Sequence, residues 1–170
     1  MTALRTAVVV GNPKPSSRTL SAAHFVATEL AGAEPGLVVD LATLGPALLD
    51  WQDPTVASLV DAVGSADLVV VATPTYKGTY TGLLKLFVDR FPADGLRGVV
   101  VPLMLGAGSG HALAPELSLR PVLTELGATT VRGHYQLDNA YDDPDSYRPW
   151  LESIRPAVLA LTREPQGVVA

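Results

Sequence analysis

The sequence contains no cysteine among its 170 residues. Disulfide bonds, thiolate metal ligands, cysteine nucleophiles and dithiol redox motifs are therefore excluded, and any redox chemistry requires a bound cofactor. Charged residues are also scarce, at 17% against about 25% in an average soluble protein, whereas hydrophobic residues make up 48%. Much of the chain is therefore expected to lie in a folded core, and disorder is excluded for most of it.

Positive charge and long hydrophobic runs are lacking as well. The 12 Lys and Arg face 17 Asp and Glu, and this net charge of -5 disfavours nucleic acid or an acidic membrane as a partner. The apolar runs Ala7–Val10 and Val99–Leu105 are too short for a signal-peptide core or a membrane-spanning helix. We therefore expect a cytoplasmic protein with one domain over residues 1–170, of which residues 164–170 form a frayed tail.

Short, largely apolar runs rich in β-branched residues recur along the chain, as in strands that a parallel sheet buries on both faces. The predicted strands are Thr6–Val10, Leu37–Val39, Leu68–Ala72, Val99–Leu105 and, more weakly, Thr129–Arg132. Segments with hydrophobic residues at three- and four-residue spacings follow these runs, as in amphipathic helices. The predicted helices are Ser17–Leu30, Thr55–Val63, Thr81–Phe91, Pro115–Leu126 and Asp145–Leu161.

This alternation predicts an α/β, flavodoxin-like three-layer sandwich, with a five-stranded parallel sheet in the order 2-1-3-4-5 and helices on both faces. In such sheets, ligands bind outside the carboxyl ends of the strands, where the strand order reverses. Three segments rich in Gly, Pro and hydroxyl groups follow predicted strands one, three and four. We call them the first loop (Gly11–Thr19), the second loop (Thr73–Gly82) and the third loop (Gly106–His111).

The first loop has the composition of an anion site. Ser16, Ser17 and Thr19 supply hydroxyl groups at a helix start, where free N–H groups and the helix dipole favour negative charge. A serine there can also act only as an N-cap, but the nearby Lys14 and Arg18 favour a phosphate. Because neither GxxxxGK[ST] nor GxGxxG is present, a monophosphate is favoured over a pyrophosphate or triphosphate.

The second loop has residues that suit a planar ring. Tyr76 and Tyr80 offer flat faces with polar tips, Gly78 permits close approach, and Pro74 stiffens the exit from the strand. The alternative interpretation is a turn whose tyrosines pack on neighbouring loops.

The third loop exposes its backbone just past the fourth strand. At Gly106, Gly108 and Gly110 a ligand can approach peptide N–H groups directly, and Ser109 adds a donor; the alternative is a flexible connection. Because all three loops lie at one predicted edge of the sheet, they describe a site for a mononucleotide with a large flat base. Flavin mononucleotide (FMN) has that shape.

Three segments that contain these loops resemble the NAD(P)H-dependent FMN reductase family. They are VVGNPKPSSRT, VVATPTYKGTYTGLLKLFVD and GHALAPELSLRPVLTELGA. The resemblance covers roughly Ala7 to Val131 and is closest to the sulfonate-utilisation type of flavin reductase. It implies an enzyme that transfers a hydride from NADPH or NADH to FMN, with a two-component monooxygenase as a candidate partner for the reduced flavin.

The resemblance also implies FMN-binding residues in each loop. The residues at positions that match the family's phosphate motif are Asn12, Lys14, Ser17, Arg18 and Thr19. At the position of Asn12, serine is more usual in the family. The residues implied to line the isoalloxazine are Pro74, Thr75, Tyr76 and Lys77. Those implied to cover the pyrimidine end are Gly106, Ala107, Gly108 and Ser109. No acid–base residue is implied for the key step, since hydride passes from nicotinamide C4 to flavin N5.

Two alternatives share the predicted architecture. A flavodoxin-like electron carrier usually has acidic residues around its flavin, whereas these loops carry Lys14, Arg18 and Lys77 and no acidic residue. A quinone, azo or chromate reductase that uses bound FMN stays open, because the choice of acceptor depends on the pocket above the ring. Some sulfonate-type members carry an inserted aromatic residue near the position of Leu117; members without it are expected to hold FMN tightly and to reduce another acceptor.

Other kinds of site are disfavoured. Ser109 lacks the glycine two positions earlier that a GxSxG hydrolase requires, and three scattered histidines predict no metal site. The acidic segment 138–145 lacks the central glycine of an EF-hand loop and is interpreted as a solvated loop with a helix cap at Asp143 or Asp145.

The low charge content predicts buried surface beyond one domain. The apolar faces of the predicted helices Thr81–Phe91 and Pro115–Leu126 indicate a homodimer or homotetramer, which the family resemblance also implies. Trp51 and Trp150 are expected in either the core or this interface.

Overall fold

A computed structural model describes residues 4–163; the predicted tail, residues 164–170, lies outside the described residues. The strands are β1 (Thr6–Val10), β2 (Leu37–Asp40), β3 (Leu68–Pro74), β4 (Val99–Gly106), β5 (Thr129–Thr130) and β6 (His134–Leu137). The helices are α1 (Arg18–Ala31), α2 (Pro54–Gly64), α3 (Gly82–Val88), α4 (Arg120–Glu125) and α5 (Pro144–Arg163).

All strand pairs in the sheet are parallel, and the order is β2-β1-β3-β4-β5, with β6 also paired to β4. The predicted flavodoxin-like order is confirmed. Every residue of β1, β3 and β4 is buried, because helices cover both faces of these central strands. This burial explains why their sequences are continuous apolar runs rather than alternating ones.

Two helical layers divide the side chains of each strand between them. Val8 and Val10 of β1 belong to the core under α1 and α5, whereas Ala7 and Val9 belong to the core under α2, α3 and α4. Successive side chains of a strand point to opposite faces, so each core takes every second residue. The prediction of helices on both faces is thereby confirmed.

The fifth strand is longer and more irregular than the predicted Thr129–Arg132. Val100 of β4 pairs with Thr130 of β5, but Leu103 pairs with His134 of β6, so the edge strand has one extra residue. The break lies opposite Pro102, which has no N–H to donate to the ladder. The predicted five-stranded sheet therefore has a sixth strand, because β5 and β6 are two parts of one interrupted edge.

Two helices differ from their predicted extents because of proline. α3 ends at Val88 rather than Phe91, in tight turns that precede Pro92. The segment predicted as one helix over Pro115–Leu126 begins with a π-helical turn, Pro115–Leu119, and continues as α4. Pro121 cannot donate the N–H that an α-helix would direct to the carbonyl of Leu117, and the N–H of Arg120 bonds instead to the carbonyl of Pro115.

The two tryptophans have different surroundings. Trp150 is buried in the core, and its Nε1 donates to the carbonyl of Arg132 at 2.9 Å. Trp51 is 68% exposed, with the guanidinium of Arg90 above its ring. No helix in the part of the chain that the structure describes is long and apolar enough to cross a membrane.

Candidate functional site

The three loops lie side by side at the carboxyl edge of the sheet, because β1, β3 and β4 are neighbours. The N–H of Gly11, at the start of the first loop, donates to the carbonyl of Ala72 at 2.8 Å. The N–H of Thr75, in the second loop, donates to the carbonyl of Leu105 at 2.7 Å, next to the third loop. The first loop is thus joined to the base of the second, and the second to the base of the third.

The first loop is braced from within by its own side chains. The Asn12 amide donates to the Thr19 hydroxyl at 2.9 Å and accepts from the N–H of Lys14 at the same distance. Ser17 is buried and is the N-cap of α1, where its Oγ accepts from the N–H of Leu20 at 3.3 Å. Ser17 is therefore an N-cap, as one of the two interpretations requires, and the capping bond uses its oxygen as acceptor and leaves its hydroxyl hydrogen for another partner.

Two charged groups belong to or adjoin this loop, namely Arg18 within it and Asp40 beside it. The Arg18 guanidinium carbon lies 5.5 Å from the ring centre of Tyr141, a residue between β6 and α5 that the sequence did not suggest. The N–H of Ser16 donates to an Asp40 carboxylate oxygen at 2.9 Å. The three loops themselves contain no acidic residue, but the site does have an acidic neighbour. Asp40 directly follows the predicted second strand, so the predicted strand order could have revealed it.

The second loop is a tight hairpin with its tip in solvent. Tyr76 and Thr79 exchange two backbone hydrogen bonds of 2.9 and 3.2 Å, around Lys77 and Gly78 with φ of 54° and 82°. Positive φ at both central residues is the geometry of type I′ turns, which are favoured in two-residue hairpins because their twist matches that of the paired strands. Tyr76 is 53% exposed, so about half of its surface is accessible.

A buried hydroxyl in the second loop has no partner. Among residues 4–163, Thr75 Oγ1 is the buried side-chain polar atom for which the protein provides no hydrogen bond. Such an atom costs about 1–3 kcal/mol when it is left unsatisfied. Thr75 follows Pro74, which is buried at the end of β3, so the orphaned hydroxyl lies at the base of the loops, where a ligand could satisfy it.

The third loop is open on its outer side and supported on its inner side. A Cβ added to Gly108 or Gly110 would meet no atom within 4 Å, whereas one added to Gly106 would collide with the Tyr135 hydroxyl. That hydroxyl donates to the carbonyl of Gly108 at 2.7 Å. Ala107 and Ser109 are exposed. Tyr135, which the sequence did not suggest, therefore fixes the loop from β6.

The tips of the second and third loops also meet. A Cβ added to Gly78 would lie 3.6 Å from Cδ2 of His111, which is exposed at the end of the third loop. The structure thus brings together all thirteen residues that the sequence suggested, on three adjoining loops, and adds Asp40, Tyr135 and Tyr141 at their margins.

The chemistry of the three loops fits FMN. Hydroxyl groups, a 14-residue helix N-terminus and two cations suit a phosphate at the first loop. The orphaned hydroxyl of Thr75, the accessible surface of Tyr76 and the uncovered backbone at Gly108 suit a polar-edged planar ring.

Two further depressions lie away from the three loops. One, about 520 Å³, runs between α1 and the edge strand β2, and the ion pair of His24 and Glu34 lies in its wall. The other lies around Phe91 and Pro92, after α3. Over residues 4–163, no three His, Asp or Glu side chains are grouped in a way that could hold a metal ion.

Known FMN reductases are similar to this chain in sequence. The family model for NADPH-dependent FMN reductases matches residues 4–142. An FMN reductase (NADPH) of Escherichia coli K12 is 32% identical over 133 residues, which are 75% of this chain and 70% of that protein. The NADH-dependent FMN reductase SfnF of Pseudomonas putida is 32% identical over 156 residues, 86% of this chain and 84% of that protein.

A solved structure is also similar. The apo form of an NADH:FMN oxidoreductase superposes with a TM-score of 0.85 at 29% identity, over 95% of this chain and 92% of that one.

Proposed function

The chain belongs to the NADPH-dependent FMN reductase family, and from that membership we propose that it binds FMN across the three loops and is an NAD(P)H:FMN oxidoreductase. Bound FMN supplies the redox chemistry, since it accepts a hydride from NADPH or NADH. The protein contributes binding, orientation and electrostatics. The observation that carries the placement of the ring is the unpartnered, buried hydroxyl of Thr75, a residue of the second loop whose N–H donates to Leu105 at the base of the third.

The first loop is proposed to hold the phosphate. Ser17 donates its hydroxyl hydrogen while it keeps its capping bond to the N–H of Leu20. Lys14 and Arg18 contribute positive charge, and the stacking of Arg18 on Tyr141 restricts the positions of its guanidinium. Asn12 and Thr19 bond to one another, so we assign them to the shape of the loop as well as to the phosphate contact.

The second and third loops are proposed to hold the ring. Pro74, Thr75, Tyr76 and Lys77 line one side, where Thr75 supplies a hydroxyl and Tyr76 a flat surface. Gly106, Ala107, Gly108 and Ser109 offer backbone and hydroxyl donors to the polar edge of the ring, and Gly108 leaves room for it. No side chain is assigned to proton transfer in the hydride step.

The charges around the three loops favour an anionic nicotinamide donor. Lys14, Arg18 and Lys77 are exposed on the loops, and positive potential at a cleft raises the rate at which anions arrive. The Asp40 carboxylate accepts hydrogen bonds from the N–H of Ser16 and from that of Ala42, so both of its oxygens already have backbone donors.

We propose a homodimer or homotetramer, because Leu113 and Leu117 are 66% and 74% exposed next to the third loop. We propose a two-component monooxygenase as the consumer of reduced flavin, by likeness to sulfonate-type relatives. A cytoplasmic location stays a prediction.

Anaerobic flavin reduction tests the proposed function. Excess FMN is mixed with NADPH or NADH and a trace of protein, and the loss of oxidised-flavin absorbance is followed. Catalytic reduction that exceeds the protein concentration is expected. Reduction of only one equivalent of bound FMN would instead favour a tightly held cofactor with another acceptor, such as a quinone. No reduction of bound FMN would favour an electron carrier.

A further inference from the structure

Two buried threonines connect the first loop to the second. Thr73 is the penultimate residue of β3, and Thr81 is the N-cap of α3, so they stand at the two ends of the second loop. Their relative exposures are 0% and 4%. Neither residue is among those assigned to flavin contact.

The hydroxyl of Thr81 takes part in two hydrogen bonds, once as donor and once as acceptor. Its Oγ1 donates to the carbonyl of Gly11 at 2.5 Å and accepts from the N–H of Leu84 at 3.1 Å. Its own N–H donates to the hydroxyl of Thr73 at 3.2 Å. One side chain therefore caps a helix and also holds the first residue of the first loop, 70 positions earlier in the chain.

Both backbone polar groups of Gly11, its N–H and its carbonyl, are therefore hydrogen-bonded. Its N–H bonds to Ala72 of β3 and its carbonyl to Thr81. The same residue lies directly against α3, because an added Cβ would be 2.5 Å from the Cβ of Leu84 and 3.0 Å from its Cα. Only glycine permits this approach. The start of the first loop is thereby held against α3, the helix that follows the second loop.

We propose that Thr81 is a positioning residue of the flavin site, whose hydroxyl sets the first loop at a fixed distance from the second so that the phosphate and the ring of one FMN molecule are bound together. This inference rests on the proposed function. The second loop has other anchors, namely its hairpin bonds and the bond from Thr75 to Leu105. Loss of the Thr81 hydroxyl therefore displaces the first loop more than the second.

The ratio of FMN affinity to riboflavin affinity measures this role, because riboflavin has the ring without the phosphate. Dissociation constants of both flavins are measured by fluorescence for the wild type, Thr81→Val and Thr81→Ser. Thr81→Val is expected to lower the ratio about tenfold, as for the loss of a well-formed buried hydrogen bond. Thr81→Ser keeps the hydroxyl and is expected to restore the ratio to within about twofold.

A matched control separates positioning from helix capping. Asp53 caps α2 by accepting from the N–H groups of Thr55 and Val56, both at 2.9 Å, and lies outside the three loops. Asp53→Ala is expected to lower stability and to leave the affinity ratio unchanged. A ratio that falls equally in Asp53→Ala and Thr81→Val would mean that only stability is measured, and would overturn the positioning role.

The affinities of Thr81→Val and of the wild type separate failure of this inference from failure of the proposed function. A folded Thr81→Val with the wild-type ratio overturns the inference and leaves the proposed function intact. A wild type that binds neither flavin overturns both. If Thr81→Val does not fold, Thr73→Val serves instead: it removes the acceptor of the Thr81 N–H and is expected to lower the ratio in the same direction, and an unchanged ratio there overturns the inference.

Discussion

Individual residues of the first loop combine a structural role with the binding role proposed for them. Ser17 caps α1 with its oxygen and has its hydrogen free, and Arg18 is stacked on Tyr141. Substituting both Ser17 and Arg18 by Ala should weaken FMN binding by about tenfold to a hundredfold, the range for loss of charge-assisted hydrogen bonds. Riboflavin binding should change little, because it has no phosphate, and fluorescence titration with both flavins checks this.

Arg5 provides the control for that substitution. It lies next to the opposite end of β1 and pairs with Asp67 at 2.6 Å. Arg5→Ala removes a cation of the same kind without touching the loops, so both flavins should bind as they do to the wild type. Equal losses of FMN and riboflavin affinity in the Ser17 and Arg18 variant would refute the phosphate role.

A substitution at Gly108 tests the part of the site that is proposed to hold the flavin ring. Its φ is -153°, which any residue adopts, and an added Cβ meets no protein atom within 4 Å. Gly108→Leu should therefore fold normally, with a melting temperature near that of the wild type, and yet lose at least about tenfold in affinity for both flavins, since the new side chain occupies the space for the ring.

Gly36→Leu is the matched control for Gly108→Leu. Gly36 directly precedes β2 and so lies at the amino end of that strand, opposite to the end where the three loops lie. An added Cβ there has only an ordinary contact of 3.9 Å, to the carbonyl oxygen of Thr6. This variant should bind flavin normally. Unchanged flavin affinity in Gly108→Leu would remove the third loop from the site.

Among the elements, β6 and α5 are joined by an aromatic cluster around His134. The imidazole stacks on Trp150 with ring centres 4.6 Å apart, lies 5.5 Å from Tyr147, and has Nε2 at 2.9 Å from Oε1 of Gln136. Burial lowers the pKa of His134 below its ordinary value of 6.5; the bond to Gln136 opposes this shift and the charge of Arg132 adds to it.

This lowered pKa predicts a pH dependence of stability. The unfolded chain binds the His134 proton at a higher pH than the folded chain, so stability falls as the pH drops through about 6.5 and towards the folded pKa. A loss of 1 kcal/mol lowers the melting temperature by about 2–4 °C in a domain of this size. Between pH 8 and pH 5.5, His134→Gln should therefore lose fewer degrees than the wild type.

Melting curves of the two proteins in matched buffers decide the outcome. If His134→Gln lost as many degrees as the wild type between pH 8 and pH 5.5, burial of His134 would not be the source of the acid sensitivity.

The elements also show where sequence patterns suffice. Strands β1, β3 and β4 could be predicted because both faces are buried, so each residue is apolar or small. The division of the fifth strand could not, because it depends on Pro102 of the neighbouring strand. The π-helical turn at Pro115–Leu119 was missed for a similar reason, since the apolar spacing of a wide turn resembles that of an α-helix.

For the candidate site, the order of the strands made the meeting of its three loops predictable. The loops after three adjacent strands must meet, and their glycines, prolines and hydroxyl groups mark them in the sequence. Contacts from distant segments could not be read in this way. Asp40, Tyr135 and Tyr141 reach the loops only because β2, β6 and the start of α5 lie at the same edge.

At the scale of the whole molecule, exposed leucines indicate self-association. Leu113 and Leu117 project from the segment around the π-helical turn, and such exposed apolar groups commonly mark interfaces. Light scattering at micromolar concentration should give at least twice the mass of one chain, and Leu117→Glu should reduce it towards one chain. Leu159→Glu, on α5 at 36% exposure, should not. A monomeric wild type would refute the predicted assembly.

The most direct test of the proposed flavin reductase activity is the steady-state rate of NADPH and NADH oxidation. It is measured with a trace of purified protein, as a function of the concentration of free FMN. Saturable stimulation by FMN, weaker stimulation by riboflavin, and loss of both in Gly108→Leu are expected from a flavin reductase whose site is formed by the three loops. Oxidation of neither nucleotide at any FMN concentration, by a protein shown to be folded, would contradict the proposed activity.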